Sequence, residues 1–415
     1  MADDRTFVIV GASLAGAKAA EALRDEGFEG RVVLIGSERH RPYERPPLTK
    51  GYLRGEDDSH KLYVHDEGYY DEHAIELQLG RTATGLDTAA HSITLDDGST
   101  IDYDRLLLAT GAEPRVLNLP GATLDGVHYL RSIDDSDALR AQLEQGGRGV
   151  VVIGSGWIGC EIAASARQLG NDVTMIAPDK VPLERVLGGE VGGVFRELHR
   201  DNGVQLLLGT GVEAIEGSGA AGRVRTSDGS TVDCDLVVVG VGVTPRTAIA
   251  EAGGLQVDNG VLVDGHLATS SPEVFAVGDV ANELHPFYGE RIRVEHWANA
   301  LNQPETAAKA MLEKDGAYDQ LPFFFSDQFD VGMEYAGFAR DWDRVVFRGD
   351  VKGREFLAFW LKDARVVAGM NLNVWDINET IQALIRSRAQ VDAARLADPG
   401  VALESLASTG ATSTS

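Results

Sequence analysis

The chain has 415 residues, 43% of them hydrophobic and 25% charged, which is the composition of a globular protein with room for two or three domains. Its formal net charge of −26 at pH 7 argues against non-specific binding to nucleic acid or to an anionic membrane surface. No stretch approaches the roughly 20 apolar residues of a membrane span, and the first residues lack the features of a secretory signal. We therefore expect a cytoplasmic protein with neither a nucleic-acid nor a membrane partner.

The N-terminal residues predict a strand, a glycine turn and a helix in that order. Phe7–Gly16 reads as the strand and the turn, and Ala17–Leu23 reads as an Ala-rich helix. Gly11, Ser13 and Gly16 follow the G-x-G-x-x-G spacing, with Ser in place of the second Gly. This order of elements is the context in which the glycine pattern predicts a dinucleotide site.

The next strand, Arg31–Gly36, is followed by a candidate ribose-binding acid. Glu38 lies 22 residues after Gly16, near the roughly 20 residues expected for an acid that binds a ribose hydroxyl. A surface Glu with no ligand is the alternative.

The segment 41–50 contains three prolines and predicts a stiff loop that carries Arg45 and Lys50 on a fixed backbone. A solvated turn is the alternative. After the strand Leu106–Ala109, Thr110 and Gly111 could bring backbone close to a cofactor.

A second strand, glycine turn and helix begins near residue 149. Val150–Ile153 predicts a buried parallel strand, and Cys160–Leu169 predicts a helix. Between them, three glycines serve a tight turn, close approach of a pyrophosphate, and close packing of helix on strand; they are Gly154, Gly156 and Gly159. Glu161 lies in the first helical turn beside the predicted nucleotide, or is a generic first-turn acid that stabilises the helix dipole.

The two units also repeat further along the chain. Residues 101–115 align with residues 232–246, and each segment follows a hairpin-like turn, at 97–100 and 228–231. Two matched units predict two dinucleotide-binding sites. Two α/β domains without a nucleotide are the alternative.

The second unit departs from the usual NADH pattern at one position. The strand Asp172–Ile176 is followed by Ala177, where a ribose-binding acid is expected. Asp179 could replace that acid, whereas Lys180 could favour a 2′-phosphate and hence NADPH. The choice between NADH and NADPH stays open at this point.

The segment 268–279 predicts an apolar strand that ends in Gly278 and Asp279. An acid at the carboxyl end of a strand is well placed to bind a cofactor hydroxyl. Trp297 precedes a predicted helix, Asn299–Leu312, and a core role is the alternative for this Trp.

From Phe323 the composition predicts a small α+β domain. Three strand-like runs and one helix are expected, at Arg344–Arg348, Phe356–Leu361, Val366–Met370 and Ile377–Arg388. Residues 401–415 are rich in Ser, Thr, Gly and Ala and are expected to be disordered.

Several of these motifs together resemble the flavoproteins with two dinucleotide-binding domains. The shared residues are Thr269-x5-Phe275-Ala276-x-Gly278-Asp279, Ala109-Thr110-Gly111 and the two glycine fingerprints. Four further motifs resemble the putidaredoxin reductase and dioxygenase ferredoxin reductase family: Arg45-Pro-Pro-Leu-x-Lys50, Tyr129-Leu-Arg131, Glu295-x-Trp297 and Pro322-x3-Ser326-Asp327-Gln328. The animal apoptosis-inducing factors are more distant relatives.

The resemblance implies an α/β fold with two Rossmann-like dinucleotide-binding domains, as in glutathione reductase, plus a small C-terminal α+β domain. The implied domains are an FAD-binding domain (1–112 and 245–322), an NAD(P)H-binding domain (113–244), the C-terminal domain (323–400) and a disordered tail (401–415).

By position, the resemblance implies contacts with two cofactors. The residues implied for FAD are Gly11, Ser13, Ala15, Gly16, Glu38, Arg45, Lys50, Ala83, Arg131, Asp279 and Trp297. The residues implied for NADH or NADPH are Gly154, Gly156, Gly159, Glu161 and Gly242. The departures from the family pattern are Ser13, Ala177, His296 beside Trp297, and Phe325 where the family often has Trp.

The implied activity is hydride transfer from NAD(P)H to FAD, followed by single-electron transfer to a small iron–sulfur ferredoxin that serves an oxygenase. No side chain is assigned a catalytic role. The sequence has only two cysteines, Cys160 and Cys234, and neither has a C-x-x-C or metal-ligand spacing. We therefore expect no metal site and no disulfide or sulfenate chemistry.

Two other functions remain possible for such a sequence. One is an NADH oxidase or quinone reductase that uses the same flavin. The other is a redox-sensing interaction protein like the apoptosis-inducing factors, in which NADH changes association and turnover is slow.

Overall fold

The computed structural model describes residues 3–407, and the chain folds into two compact units. The first unit contains the residues up to Arg45, Asp58–Glu113 and Val243–Pro322. The second contains Pro46–Asp57, Pro114–Gly242 and the residues from Phe323 onward. Short strands, Ala112–Pro114 and Val243–Pro245, lie where the chain passes from one unit to the other.

A five-stranded parallel sheet forms the centre of the first unit. Its strands, in spatial order, are Val274–Ala276, Arg105–Leu108, Thr6–Val10, Arg31–Gly36 and Ile75–Leu79. The central strands are buried, as their unbroken apolar runs predict for a parallel sheet covered on both faces. Their side chains form one continuous core with the long helices of this unit.

The other elements of the first unit surround this sheet. Two three-stranded sheets consist of Ala83–Asp87, Ser92–Leu95 and Thr100–Asp102, and of Val261–Val263, Ala281–His285 and Glu290–Ile292. The α-helices are Leu14–Asp25, Tyr69–Glu72, Ala248–Ala252 and Trp297–Met311, and the 3₁₀-helices are Ser59–Leu62 and Gly278–Val280.

The second unit repeats the arrangement of the first. Its five parallel strands, in spatial order, are Gln205–Leu208, Asp172–Ala177, Gly149–Ile153, Leu236–Val239 and Val127–Tyr129. An antiparallel sheet follows, with strands Val212–Glu216, Arg223–Thr226 and Thr231–Asp233. The helices of this part are Pro46–Thr49 (3₁₀), Gly51–Arg54, Ile133–Leu143, Trp157–Gln168 and Glu184–Asp201.

The C-terminal part of the second unit is a five-stranded antiparallel sheet. Its strands, in spatial order, are Phe323–Gln328, Val331–Gly337, Arg365–Leu372, Glu355–Lys362 and Arg344–Asp350. The helices Asn378–Ser387, Ala393–Ala397 and Glu404–Ala407 follow. Side chains of this sheet, including Phe324 and Trp360, share a core with Val150 and Leu187.

The structure confirms the predicted fold class, two dinucleotide-binding folds plus a C-terminal α+β part. It corrects three local predictions. The predicted strand 268–279 is reduced to Val274–Ala276, because the chain turns back on itself before it, where Thr269 N–H donates to Val274 O, and Gly278 starts a 3₁₀ turn after it. The predicted loop 41–50 contains the 3₁₀-helix Pro46–Thr49, which starts with two prolines whose fixed φ suits a helical first turn.

The third correction concerns the predicted disordered tail 401–415. Glu404–Ala407 is helical, and Leu403 and Leu406 are buried, so this short segment is ordered by burying two side chains. Residues 408–415 lie outside the described residues. Among residues 3–407, no helix combines the length and the apolar character that a membrane span requires.

Candidate dinucleotide-binding sites

The first glycine turn joins the strand Thr6–Val10 to the helix Leu14–Asp25. Gly11 has φ +120°, and a methyl group there would lie 2.1 Å from the carbonyl oxygen of Ala109. A methyl group on Gly16 would lie 1.9 Å from the carbonyl oxygen of Gly11. Both positions therefore require Gly, one for the turn and the other for close packing of helix on strand.

The remaining members of this turn lie around the helix start. Ser13 is the residue before the helix, and Ala15 is buried in its first turn. The first N–H groups of a helix lack partners within it, and they create a positive field that suits a phosphate. The turn has the geometry that the fingerprint predicts, with Ser13 where a second Gly is usual.

A cavity of about 430 Å³ opens beside this turn. Its walls include Gly11, Ser37, Ala83, Thr110 and Arg246. Gly11, Ser37 and Thr110 follow the carboxyl ends of three parallel strands, where open α/β sheets bind ligands. The cavity thus brings Gly11 and Ala83, two of the residues predicted for FAD, to one site of suitable size for part of a dinucleotide.

Glu38 is held at the same sheet edge by two side chains. Its carboxylate accepts hydrogen bonds from the Tyr43 hydroxyl and, at 2.8 Å, from the Arg45 guanidinium. Although burial alone would raise it, the pKa of Glu38 is lowered by the charge of Arg45 and these hydrogen bonds. The carboxylate is therefore ionised near neutral pH and can accept a further hydrogen bond from a hydroxyl.

Asp279 lies in the 3₁₀ turn Gly278–Val280, and a series of buried hydrogen bonds supports this turn. The backbone N–H of Gly278 donates to Gln303 Oε1 at 2.8 Å, and Gln303 Nε2 donates to Glu283 Oε2 at 3.2 Å. Burial raises the pKa of Glu283 to about 8, so this side chain is a neutral acid at pH 7. Gln303 and Glu283 were not predicted as site residues, since no motif in the sequence marks them.

Glu283→Gln is expected to stabilise the protein at pH 8 and to leave its stability nearly unchanged at pH 4.5. The folded protein retains a proton on Glu283 that the unfolded chain releases between its ordinary pKa of 4.5 and about 8. Ionisation of the unfolded chain therefore lowers the free energy of unfolding as pH rises through this range, and the Gln variant lacks this loss.

The expected difference between the Gln variant and the unchanged protein is about 2–4 kcal/mol at pH 8, by proton linkage. Urea unfolding of both proteins at several pH values between 4.5 and 8.5 measures it. A difference that does not change with pH would contradict the assignment of a neutral Glu283.

Trp297 is the first residue of the helix Trp297–Met311. Its indole N–H donates to Glu44 Oε2 at 3.1 Å, so Trp297 is anchored to the residue before Arg45. The neighbouring His296 is neutral near pH 7, because burial lowers its pKa to about 4. This hydrogen bond to Glu44 links the start of the helix to the loop that carries Arg45 in the first unit.

The second glycine turn has the geometry of the first. Gly154 has φ +109°, and a methyl group there would lie 2.3 Å from the carbonyl oxygen of Gly240. A methyl group on Gly159 would lie 2.2 Å from the carbonyl oxygen of Gly154. Gly156 differs, because it is exposed and no atom lies within 4 Å of the position of a Cβ. Open space at Gly156 fits the close approach of a pyrophosphate.

Glu161 is buried, and three donors satisfy its carboxylate. Thr49 Oγ1 donates to Oε2 at 2.5 Å, Lys50 Nζ lies 3.0 Å from Oε2, and Ser326 Oγ donates to Oε1 at 2.7 Å. The predicted contact of Glu161 with the coenzyme remains a prediction. The structure gives this side chain a role in joining the segment Pro46–Asp57 and the C-terminal sheet to the helix Trp157–Gln168.

A further polar chain continues from Ser326. Gln328 Nε2 donates to Ser326 Oγ at 3.2 Å, and the ring nitrogen Nε2 of His199 lies 3.0 Å from Gln328 Oε1. Burial lowers the pKa of His199 to about 4, so the ring is neutral. Thr49 lies inside the family-like motif at 45–50, and Ser326 and Gln328 lie inside the one at 322–328. These motifs could have marked Thr49 and Ser326 as partners of Glu161, and Gln328 as the partner of Ser326. No motif marks His199.

Three predicted site residues remain to be placed. Gly242 is exposed with φ +98°, three residues after the strand Leu236–Val239. Arg131 precedes the helix Ile133–Leu143, and its backbone N–H donates to Asp135 Oδ2 at 3.1 Å. Lys50 and Arg131 both belong to the second unit, and their assignment to FAD remains a prediction.

Both cysteines of the chain are buried, and neither has the surroundings of a redox-active thiol. Cys160 is fully buried in its helix, and its thiol lies 3.5 Å from the carbonyl oxygen of Ser155. Burial raises the pKa of the Cys160 thiol and raises that of Cys234 to about 11. Thiols rather than thiolates are therefore present at pH 7, and neither sulfur is an activated nucleophile.

Comparisons with known proteins agree with this geometry. Residues 5–310 match the family described as pyridine nucleotide-disulphide oxidoreductase, and residues 323–407 match the family described as reductase C-terminal. The chain therefore belongs to the pyridine nucleotide-disulphide oxidoreductase family. It has the two nucleotide folds of that family together with a reductase-type C-terminal domain.

Two curated relatives and one solved structure cover nearly the whole chain. The ferredoxin–NAD(+) reductase component of the anthranilate 1,2-dioxygenase system of Burkholderia cepacia is 40% identical over 399 residues, covering 96% of this chain and 98% of that protein. Putidaredoxin reductase of Pseudomonas putida is 36% identical over 406 residues, covering 96% of each chain. A crystal structure of the covalent putidaredoxin reductase–putidaredoxin complex matches with a TM-score of 0.94 and 34% identity, covering all of both chains. These matches confirm the family predicted from the motifs.

Proposed function

We propose that this protein is the reductase component of an oxygenase system, which takes a hydride from NADH onto FAD and passes single electrons to a small iron–sulfur ferredoxin. One observation carries the proposal. Two glycine turns with the dinucleotide-binding geometry lie at the carboxyl ends of strands in two parallel sheets, while both cysteines of the chain are buried as inert thiols. Relatives that cover nearly the whole chain are named as ferredoxin reductases, which supports the choice of acceptor.

The first unit fits FAD. The cavity beside Gly11, the two glycines that admit no Cβ, and the ionised Glu38 together form a cradle for a dinucleotide. We assign to FAD the residues of this unit that the motifs predicted, namely Gly11, Ser13, Ala15, Gly16, Glu38, Arg45, Ala83, Asp279 and Trp297. The chemistry that FAD supplies when bound is acceptance of a hydride and release of its two electrons one at a time.

The second unit fits the nicotinamide coenzyme. Gly154 and Gly159 shape the turn, and the free space at Gly156 admits the pyrophosphate. The helix Trp157–Gln168 directs its N-terminal N–H groups towards that space. We assign Gly154, Gly156, Gly159 and Gly242 to NADH, and Glu161 to the support of this helix and of Lys50.

An anaerobic titration tests the proposal. Stoichiometric NADH is expected to bleach the flavin absorbance, and oxygenase ferredoxins such as putidaredoxin are then expected to reoxidise it faster than oxygen or a quinone does. Faster reoxidation by oxygen or a quinone would favour an oxidase or a quinone reductase. Slow reoxidation by every acceptor, with an NADH-dependent change in association, would favour a redox-sensing interaction protein.

The double variant C160S/C234S is expected to reduce a dye with NADH at a rate within about twofold of the unchanged protein, because thiols with raised pKa values take no part in electron transfer. Steady-state dye reduction and the flavin content of the purified variant measure this. Loss of activity with FAD still bound would refute the cysteine-independent route.

A further inference from the structure

The turn that carries Asp279 lies close to the first glycine turn. Gly278 has φ +74°, and a methyl group there would lie 3.5 Å from the Cβ of Ala15 and 4.0 Å from the Cβ of Ala300. The proposed function assigns both Ala15 and Asp279 to FAD. A shift of the backbone at Gly278 would therefore alter two parts of the proposed FAD site.

Side chains from later elements hold both sides of this turn. The backbone N–H of Gly278 donates to Gln303 Oε1 at 2.8 Å, and the backbone carbonyl of Asp279 accepts from Arg293 Nη1 at 3.1 Å. Gly278 is buried and Gln303 is 1% exposed, so water does not reach this N–H group. Loss of the Gln303 side chain would leave the N–H of Gly278 without a partner.

Glu283 determines which end of the Gln303 amide faces the turn. A glutamine amide has one acceptor atom, its oxygen, and one donor atom, its nitrogen. Gln303 Nε2 donates to Glu283 Oε2 at 3.2 Å, which leaves Gln303 Oε1 to accept from Gly278. A side chain without an acceptor at position 283 would no longer fix this orientation of the amide.

The immediate surroundings of Glu283 favour its neutral form. The residue is 1% exposed, and its Oε1 is buried and makes no hydrogen bond within residues 3–407. Its neighbours across the sheet, Val263 and Ile292, are apolar. Among the residues that the structure describes, an ionised carboxylate would have the Gln303 amide as its single hydrogen-bond donor, and such burial of a charge is costly.

The charges near Glu283 also favour the neutral form. The titratable groups that face it come from two neighbouring segments and from its own strand; they are Asp264, Tyr318, Asp319 and His285. Two of these groups are carboxyls, which repel a further negative charge. Arg291 of the adjacent strand pairs with Leu284 and lies on the other face of the sheet, where its guanidinium donates to backbone carbonyls.

We propose that Gln303 and the neutral Glu283 are positioning residues of the FAD site, which keep Asp279 in place for the cofactor through the hydrogen bond to Gly278. This inference rests on the proposed function, in which the first unit binds FAD. Neither side chain is required to touch FAD. Ionisation of Glu283 is expected to draw water into this buried segment, to open the turn and to weaken FAD binding.

FAD binding should therefore depend on pH. In the closed turn, burial raises the pKa of Glu283 to about 8, whereas a carboxyl exposed to water in an open turn loses its proton at lower pH. Binding of FAD to the closed turn is then coupled to uptake of a proton. By linkage, the Kd for FAD rises with pH below about pH 8 and levels off above it.

The test measures release of FAD from the diluted holoenzyme between pH 6 and pH 9, followed by the fluorescence of the free flavin. In the unchanged protein, the Kd for FAD is expected to rise about tenfold over this range. Glu283→Gln should keep the low-pH value at every pH, because its amide oxygen still accepts from Gln303. Gln303→Met should weaken FAD binding about tenfold already at pH 6, because the Gly278 N–H loses its partner.

Met311 provides the control for a general loss of stability. It is fully buried and is the last residue of the helix Trp297–Met311, two turns beyond Gln303. Met311→Ala creates a cavity in the core and is expected to lower the temperature of unfolding. The Kd for FAD and its dependence on pH should remain those of the unchanged protein.

Three results would overturn the inference. They are a Kd for FAD that is the same at every pH in the unchanged protein, a Glu283→Gln variant with the unchanged protein's pH dependence, or a Gln303→Met variant that loses no more FAD than Met311→Ala. Failure of the proposed function is distinct from these, because then NADH would not bleach a bound flavin. If NADH bleaches the flavin and one of the three results is found, only the role of Glu283 and Gln303 fails.

Discussion

Gly156→Asp is expected to abolish most of the coenzyme affinity of the second unit without destabilising the fold. Gly156 precedes the helix Trp157–Gln168 in an extended conformation (φ −77°, ψ −176°), where Asp is a favourable capping residue. A Cβ there enters open space. The free energy of unfolding should therefore change by less than about 0.5 kcal/mol.

Coenzyme binding, unlike stability, is expected to change strongly in this variant. A carboxylate at Gly156 lies where the pyrophosphate is expected, and two like charges near 5 Å interact by about 3 kcal/mol at a protein surface, or about 100-fold in Kd. Gly156→Asn is the matched control, because it caps the helix and adds similar bulk without charge. Ser13 at the equivalent place in the first unit indicates that a small neutral side chain is tolerated.

Calorimetric titration of both variants with NAD⁺ measures the difference, and the flavin content provides an internal reference in the first unit. Equal dissociation constants for the Asp and Asn variants would show that no phosphate approaches Gly156. A loss of FAD from either variant would show that the change disturbs more than the second glycine turn.

Glu161→Gln is expected to lower the free energy of unfolding by about 3 kcal/mol, because it leaves the buried Lys50 ammonium without a counter-charge. The two side chains are 5% and 12% exposed, so water does not replace the lost partner. The new amide group must also face the hydroxyl donors of Thr49 or Ser326. Urea unfolding followed by fluorescence measures the change.

Glu197→Gln is the control for this variant. Glu197 pairs with Arg200 on an exposed helix face, with side chains 44% and 62% exposed, and such pairs contribute at most about 0.5 kcal/mol. The double variant E161Q/K50M should recover part of the loss, since it removes the unpaired charge. An E161Q protein as stable as the Glu197→Gln control would contradict the buried network.

Much of the fold could be predicted because its central elements are locally encoded. The strand Arg31–Gly36 was predicted with the bounds that the structure has, and the helices after both glycine turns were predicted within a few residues. Long apolar runs and small-residue helices leave few other solutions in a parallel sheet. The first two strands of the C-terminal sheet, Phe323–Gln328 and Val331–Gly337, were not predicted, since their aromatic and polar residues alternate irregularly.

For the candidate sites too, the sequence predicts some residues and not others. Glycines with a positive φ or no room for a Cβ were identified from spacing alone, because the chemistry of that turn admits no other residue. The partners of Glu161 were not, because Thr49 and Ser326 lie 112 and 165 residues away from it in the sequence and meet it only through the packing of separate elements.

The sequence by itself determined two dinucleotide-binding folds, the resemblance to ferredoxin reductases and the absence of a reactive cysteine pair, because each follows from residue types at fixed local spacing. Only the tertiary structure decided which distant side chains meet. Glu161 with Ser326, Gln303 with Glu283, and Asp179 with Arg185 are paired by the packing of separate elements or by the path of a loop. Such pairs depend on burial and on backbone direction, and neither is encoded in a short motif.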